Sequence, residues 1–301
     1  MDPSNPLTER WGPSPVAAIT GAASGLGWAL ANAWARQGGR LAVADVRGPA
    51  LDTVVQQWRG QGVEVLSTVV DVAQPHAVQA WADHTVSTWG APHLVFNNAG
   101  IATGGLVWET TPAEWQHLLG VNLMGVVHGV HAFVPHLLRR AQQQPGFRST
   151  VVNTASMAGL VNLPNMGAYN ASKHAVVALS ETLHHDLSLV TDQVKAAVLC
   201  PFFVPTGIAE HVQWPQQPTA SQRHAQQALS KAVTSGRVSA DEVARLVLEA
   251  VVQDRFYIYS HPQALGGVQA RMEDLLTGVA PRDPYAAKPE WRQALKASVN
   301  P

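Results

Sequence analysis

Tyr169 and Lys173 stand four residues apart in the run Y-N-A-S-K, with Ser156 thirteen residues before the tyrosine. On a helix, positions i and i+4 share a face, so the ammonium lies beside the phenol. A free phenol, with a pKa of about 10, is a poor proton donor or acceptor at neutral pH. A neighbouring positive charge favours the phenolate and brings that value down. The spacing therefore suits proton transfer, with Tyr169 as acid and base and Lys173 as its tuning charge. Taken alone, the pair fits a surface helix equally well.

The flanking sequence supplies an alternating frame. Short apolar runs at 16–20, 41–45, 63–70, 93–97, 151–154, 195–199 and 256–259 predict strands. Helical spacing falls between them at 25–37, 48–59, 75–89, 111–139, 166–190, 217–232 and 240–253. Continuously apolar strands separated by helices mean a parallel sheet covered on both faces, a doubly wound α/β domain. The boundaries read as a frayed, flexible start at 1–14, one domain at 15–260, and a proline-bearing extension at 261–301 wrapped on the body or on a neighbouring subunit.

Where the first strand meets the first helix, the chain reads T-G-A-A-S-G-L-G. Gly21, Gly25 and Gly27 supply a tight turn, room for a diphosphate to approach the backbone, and close packing of helix on strand. The amides of the helix start, around Leu26, and the Ser24 hydroxyl face the same ligand. The spacing G-x-x-x-G-x-G departs from the commoner G-x-G-x-x-G. Asp45 ends the second strand 18 residues after Gly27. A carboxylate there can take both ribose hydroxyls and repel a 2′-phosphate, which favours NAD(H). Arg47 keeps NADP(H) open, because a guanidinium pairs with that phosphate. Asp71 and Val72 close the third strand and read equally as a plain turn.

These motifs resemble the short-chain dehydrogenase/reductase family, in its short single-domain form, over residues 15–260. The glycine turn, N-N-A-G at 97–100, Asn122 in V-N-L-M-G, Ser156, Tyr169 and Lys173 all match the family's pattern in order. The resemblance implies a Rossmann-type fold of about seven strands and hydride transfer between NAD(P) and a carbonyl or alcohol carbon. It implies that Asp71 and Val72 flank the adenine, that Asn98, Ala99 and Gly100 line the cofactor, and that Asn97 braces adjacent strands. Lys173 would also hold the nicotinamide ribose, and Val204 and Thr206 the carboxamide. Ser156 would polarise the substrate oxygen, and Asn122 would anchor a water between Lys173 and solvent. The family's Pro-Gly after the sixth strand is Pro201-Phe202 here.

Composition narrows the reading. Charged residues make up only 14% of the 301, with a net charge of −1, and no basic run suits nucleic acid. The low charge hints at subunit contacts, and family members commonly form homodimers or homotetramers through the helices at 111–139 and 166–190. One cysteine, Cys200, forms no internal disulfide, and the histidines show no metal-ligand spacing. No signal-peptide pattern and no apolar run near the length of a membrane span is expected, so the cytoplasm is the default. The pocket loops carry Ile101, Leu106, Trp108, Met157, Leu160, Leu163, Met166, Phe202, Phe203 and Trp214, which predicts a hydrophobic ketone or secondary alcohol. The alternative is a catalytically silent NAD(P)-binding regulator.

Overall fold

The computed structural model describes residues 6–210, 212 and 214–299. Among them, one parallel sheet runs β1 (Val16–Thr20), β2 (Arg40–Asp45), β3 (Val65–Val69), β4 (Leu94–Asn97), β5 (Ser149–Thr154), β6 (Val194–Cys200) and β7 (Tyr257–Tyr259). Its spatial order is β3-β2-β1-β4-β5-β6-β7. The order reverses between β1 and β4, where Ile19 lies between Val43 and Phe96. A crevice opens beyond the strand ends at such a reversal. The glycine turn follows β1 and N-N-A-G follows β4, so both motifs meet there.

Helices cover both faces because the inner strands are apolar on both sides. Against one face lie α2 (Gly25–Arg36), α3 (Gly48–Gly60) and α9 (Ala240–Val252), burying Leu30, Trp34, Trp58 and Val247. Against the other lie α4 (Pro75–Trp89), α6 (Gly125–Gln143) and α7 (Gly167–Val190), burying Trp81, Phe133, Leu137 and Leu183. β3 is shorter than the run 63–70 and only half-buried, as an edge strand with Ser67 and Thr68 at its centre can be.

Three regions differ from the sequence expectation. Residues 1–5 of the expected flexible start lie outside the described residues, but α1 (Pro6–Trp11) is a helix. Leu7 is fully buried, Trp11 meets Trp34 at 5.1 Å, and Arg10 donates to the Val252 carbonyl at 3.0 Å. Two apolar anchors one turn apart hold six residues that propensity alone would leave unfolded. The helix expected at 111–139 is α5 (Pro112–Leu119), a π-helical turn at Gly120–Met124, and α6. This stretch, 112–143, is also long and apolar enough by composition to cross a membrane, contrary to the expectation that no run approaches that length. Its apolar residues Leu118, Val126 and Phe133 are buried within the fold. The tail forms α10 (Leu265–Thr277), whose Leu265 and Val268 pack near Val176, and α11 (Pro289–Val299), which lies on α8 (Ala220–Thr234).

Candidate active site

A cavity of about 580 Å³ occupies the crevice. Gly21 (φ +67°) and Gly25 (φ +56°) turn the chain from β1 into α2 in the left-handed region that favours glycine. Gly27 serves contact instead: a Cβ there would lie 2.2 Å from the Gly21 carbonyl oxygen. The α2 start therefore packs directly on the turn, and its first amides face the cavity without intrahelical acceptors. The Thr20 hydroxyl accepts from the Asn98 and Ala99 amides at 3.0 Å each, and the Asn98 side chain donates to the Thr20 carbonyl at 3.0 Å. The β1 and β4 ends are thus tied together by Thr20, the first residue of the T-G-A-A-S-G-L-G run.

Asp45 is buried at the far end of the cavity. Its carboxylate accepts from the Ala23 amide at 3.0 Å, the Arg47 amide at 3.0 Å and the Arg47 guanidinium at 3.1 and 3.2 Å. The same guanidinium donates to Ser24 Oγ at 2.8 Å. Asp45, Arg47 and Ser24 thereby form one clasp. Asp71 accepts from the Ala73 amide at 2.9 Å, as a strand-end turn requires. The Val72 carbonyl pairs with His128 Nδ1 at 2.8 Å. Asp71 and Val72 both line the cavity as well.

At the other end, α7 is registered on the sheet by a buried amide relay. Asn97 donates to Asn153 Oδ1 at 2.9 Å, and Asn153 donates to Ser180 Oγ at 3.0 Å. The relay joins β4, β5 and α7, and so fixes the helix that carries Tyr169 and Lys173. Lys173 is buried and donates to the Thr154 carbonyl at 2.9 Å, with Nζ 5.8 Å from the centre of the Tyr169 ring. Burial pushes its ammonium down to about 8, against a smaller upward pull from Cys200. Contrary to the expectation that Lys173 brings the Tyr169 phenol down, burial pushes it up, and the group that pulls it back is Ser156 through a hydrogen bond. Ser156 Oγ also accepts from the Ala158 amide at 3.1 Å and donates to the Pro201 carbonyl at 3.4 Å.

Of the expected site residues, Gly27 and Asn122 do not line the cavity; the others do. Asn122 sits one layer behind Gly100, inside the π-helical turn. It accepts from the Ile101 amide at 2.8 Å and donates to the Ile101 carbonyl at 3.0 Å and Ser172 Oγ at 3.2 Å. Such a turn is a frequent device at functional sites because it re-aims one side chain. A Cβ at Gly100 would lie 3.4 Å from Asn122 Oδ1 and 3.5 Å from Lys173 Nζ, so that glycine leaves room beside both.

Of the expected apolar wall, Ile101, Met157, Leu163, Met166, Phe202 and Phe203 line the cavity. Leu106, Trp108, Leu160 and Trp214 do not; Trp108 is 80% exposed and Leu160 is in the core. Leu229 and Val233 of α8 take their place. They carry no sequence signal, since only the fold brings α8 to the crevice.

The chain fits a dinucleotide. A Cβ at Gly25 would press on Thr206 at 3.2 Å, and the glycine turn, the amides of the α2 start and the Asp45–Arg47 clasp follow one another along the cavity. The short chain dehydrogenase family model matches residues 15–217. A short-chain dehydrogenase/reductase from Burkholderia phymatum, solved in complex with NAD, superposes with a TM-score of 0.86 at 46% identity, covering 90% of this chain and 98% of that one. A 1-deoxy-11-beta-hydroxypentalenate dehydrogenase from Streptomyces avermitilis is 33% identical over 95% of this chain and 96% of its own. A CLA biosynthesis dehydrogenase/reductase from Lactiplantibacillus plantarum is 31% identical over 87% and 93%. The chain belongs to the short-chain dehydrogenase/reductase family. Within it, the protein is an NAD(P)-dependent oxidoreductase acting on CH–OH groups.

Proposed function

We propose that the protein interconverts a hydrophobic ketone and its secondary alcohol, with Tyr169 as the proton donor and acceptor. The observation that carries this reading is the convergence of Ser156, Tyr169 and Lys173 at one end of a cavity whose adjoining wall is Met157, Leu163, Met166, Phe202 and Phe203. When bound, the nicotinamide supplies hydride to the carbonyl carbon. Reduction leaves negative charge on the substrate oxygen, and the Tyr169 phenol gives it a proton; oxidation runs the same transfer backwards. Ser156 donates to that oxygen and orients it. Lys173, one turn on, favours the phenolate. Asn122 holds the Ile101 backbone and Ser172 behind them.

NAD(H) is the favoured cofactor, because Asp45 sets a carboxylate where the adenosine ribose would sit; Arg47, already bound to it, is the group that would admit NADP(H). The protein works in the cytoplasm as a homodimer or homotetramer, a reading supported by its single cysteine and few charges, and light scattering of the purified protein tests the assembly.

The experiment follows nicotinamide absorbance with NADH or NADPH and a panel of apolar cyclic and aryl ketones. Turnover that is faster with NADH and lost in Tyr169→Phe is the expected result. Wild-type turnover retained by Tyr169→Phe removes the mechanism. Binding of either cofactor without turnover of any ketone favours the silent regulator.

A further inference from the structure

Glu109 lies on the loop after β4, outside every motif of the family pattern, yet it is the centre of a knot. Its carboxylate accepts from the Thr219 hydroxyl at 2.7 Å and from the Ser221 hydroxyl. These two residues begin α8. Ser221 Oγ in turn accepts from the Leu106 amide at 3.1 Å, and the Ser221 carbonyl accepts from the Asn165 side chain at 2.9 Å. The Asn165 carbonyl accepts from the Gly105 amide at 2.9 Å, which joins the loop to the segment just before α7. Gln222 adds a parallel bond to Glu114 of α5 at 3.0 Å. Ser221, Gln222 and Asn165 are all buried.

The knot therefore joins three segments that each contribute to the substrate side of the cavity. Ile101 and Ala102 precede the loop, Leu163 and Met166 flank Asn165, and Leu229 and Val233 lie further along α8. Contact is close on the apolar side too, since a Cβ at Gly104 would lie 2.4 Å from Ala225 Cβ. A carboxylate at a helix start also complements the positive end of the helix. We propose that Glu109 is a positioning residue for the substrate: it holds the first turn of α8 to the loop after β4 and thereby sets the distance between the cavity walls. Its role runs through Thr219 and Ser221, and it touches neither the cofactor site nor the Ser156–Tyr169–Lys173 group.

The kinetic arm of the test rests on the ketone reading given above; the exchange arm does not. Hydrogen exchange is followed in the full chain for wild type, Glu109→Gln and Ser221→Ala, over residues 104–107 and 219–225. The expected result is exchange about tenfold faster in these two segments for either variant, with no further loss in the double variant. The KM for an active ketone rises by about tenfold in Glu109→Gln, while cofactor affinity stays within about twofold of wild type. Unchanged exchange in both segments overturns the proposal. So does faster exchange throughout the chain, or a loss of cofactor affinity equal to the change in KM, because either makes Glu109 a general support of the fold. If wild type turns over no ketone, the functional reading fails and the exchange data still decide the role of Glu109.

Discussion

The two ends of the cavity are built in different ways. The cofactor end is made of backbone and of side chains close to it: glycines at positive φ, amides at a helix start, and a strand carboxylate two residues from its arginine. The substrate end is made of side chains that reach across more than 100 residues of sequence, as Glu109 does to Thr219 and Ser221. The first kind of construction tolerates almost no added atom. The second depends on where α8 and the loop after β4 sit relative to each other.

The largest expected effect is on rate. Tyr169→Phe removes the proton donor and lowers kcat by about 10²–10⁴-fold, with cofactor binding retained in a fluorescence titration. The comparison itself is put at risk by two glycines whose added methyl groups collide to a similar degree. Gly27→Ala meets a backbone oxygen at 2.2 Å, and Gly104→Ala meets a methyl group on α8 at 2.4 Å. The first is expected to cost ~3 kcal/mol in urea unfolding and to abolish cofactor binding, because neither partner can yield. The second is expected to cost about 1–2 kcal/mol and to change KM for the ketone while cofactor binding is kept, because the added methyl group presses α8 away from the loop through Ala225. Equal losses for the two would break the distinction.

Lys173 sharpens it from the side of charge. Its folded value is lowered to about 8 from 10.5, so between these values the unfolded chain binds the extra proton. Stability contributed by this group therefore rises as pH goes from about 8 towards 10.5, and the full penalty applies below 8. Lys173→Met is expected to unfold at a higher urea concentration than wild type at pH 7, by about 1–2 kcal/mol, while losing turnover. A flat difference between the two proteins across pH 8–10.5 would mean that the buried ammonium carries no such penalty. The smallest effect is on selectivity. Arg47→Ala is expected to lower kcat/KM with NADPH by about tenfold and to leave the value with NADH within about twofold, read from the same absorbance assay.

The same division explains what is legible in the sequence. Gly21, Gly25 and the Tyr169–Lys173 spacing are local signals, because turn geometry and helix periodicity act over a few residues, whereas Asn98 is reached only through the family resemblance. The resemblance also implies that Asn97 braces adjacent strands, and its side chain donates to Asn153 Oδ1 on the next strand. The π-helical turn at Asn122 is hidden, since one extra residue barely disturbs the apolar spacing of a long helix. Loop membership alone points Leu106, Trp108 and Trp214 at the cavity, and a loop places only some of its side chains on its inner side. α1 escapes notice because its stability comes from Leu7 and Trp11 docking on the body, which no six-residue window reveals. The Glu109 knot is invisible for the same reason: Thr219 and Ser221 are no neighbours of it in sequence.

The π-helical turn has one more consequence. A single additional residue rotates everything before it by about 100° relative to everything after it. α5 therefore does not continue the face of α6; it turns Glu114 towards Gln222 while α6 keeps Phe133 in the core. Deleting Leu123 or Met124 would restore an ordinary helix and at once turn Asn122 from Ile101 and Glu114 from α8, so two distant anchors would be lost together.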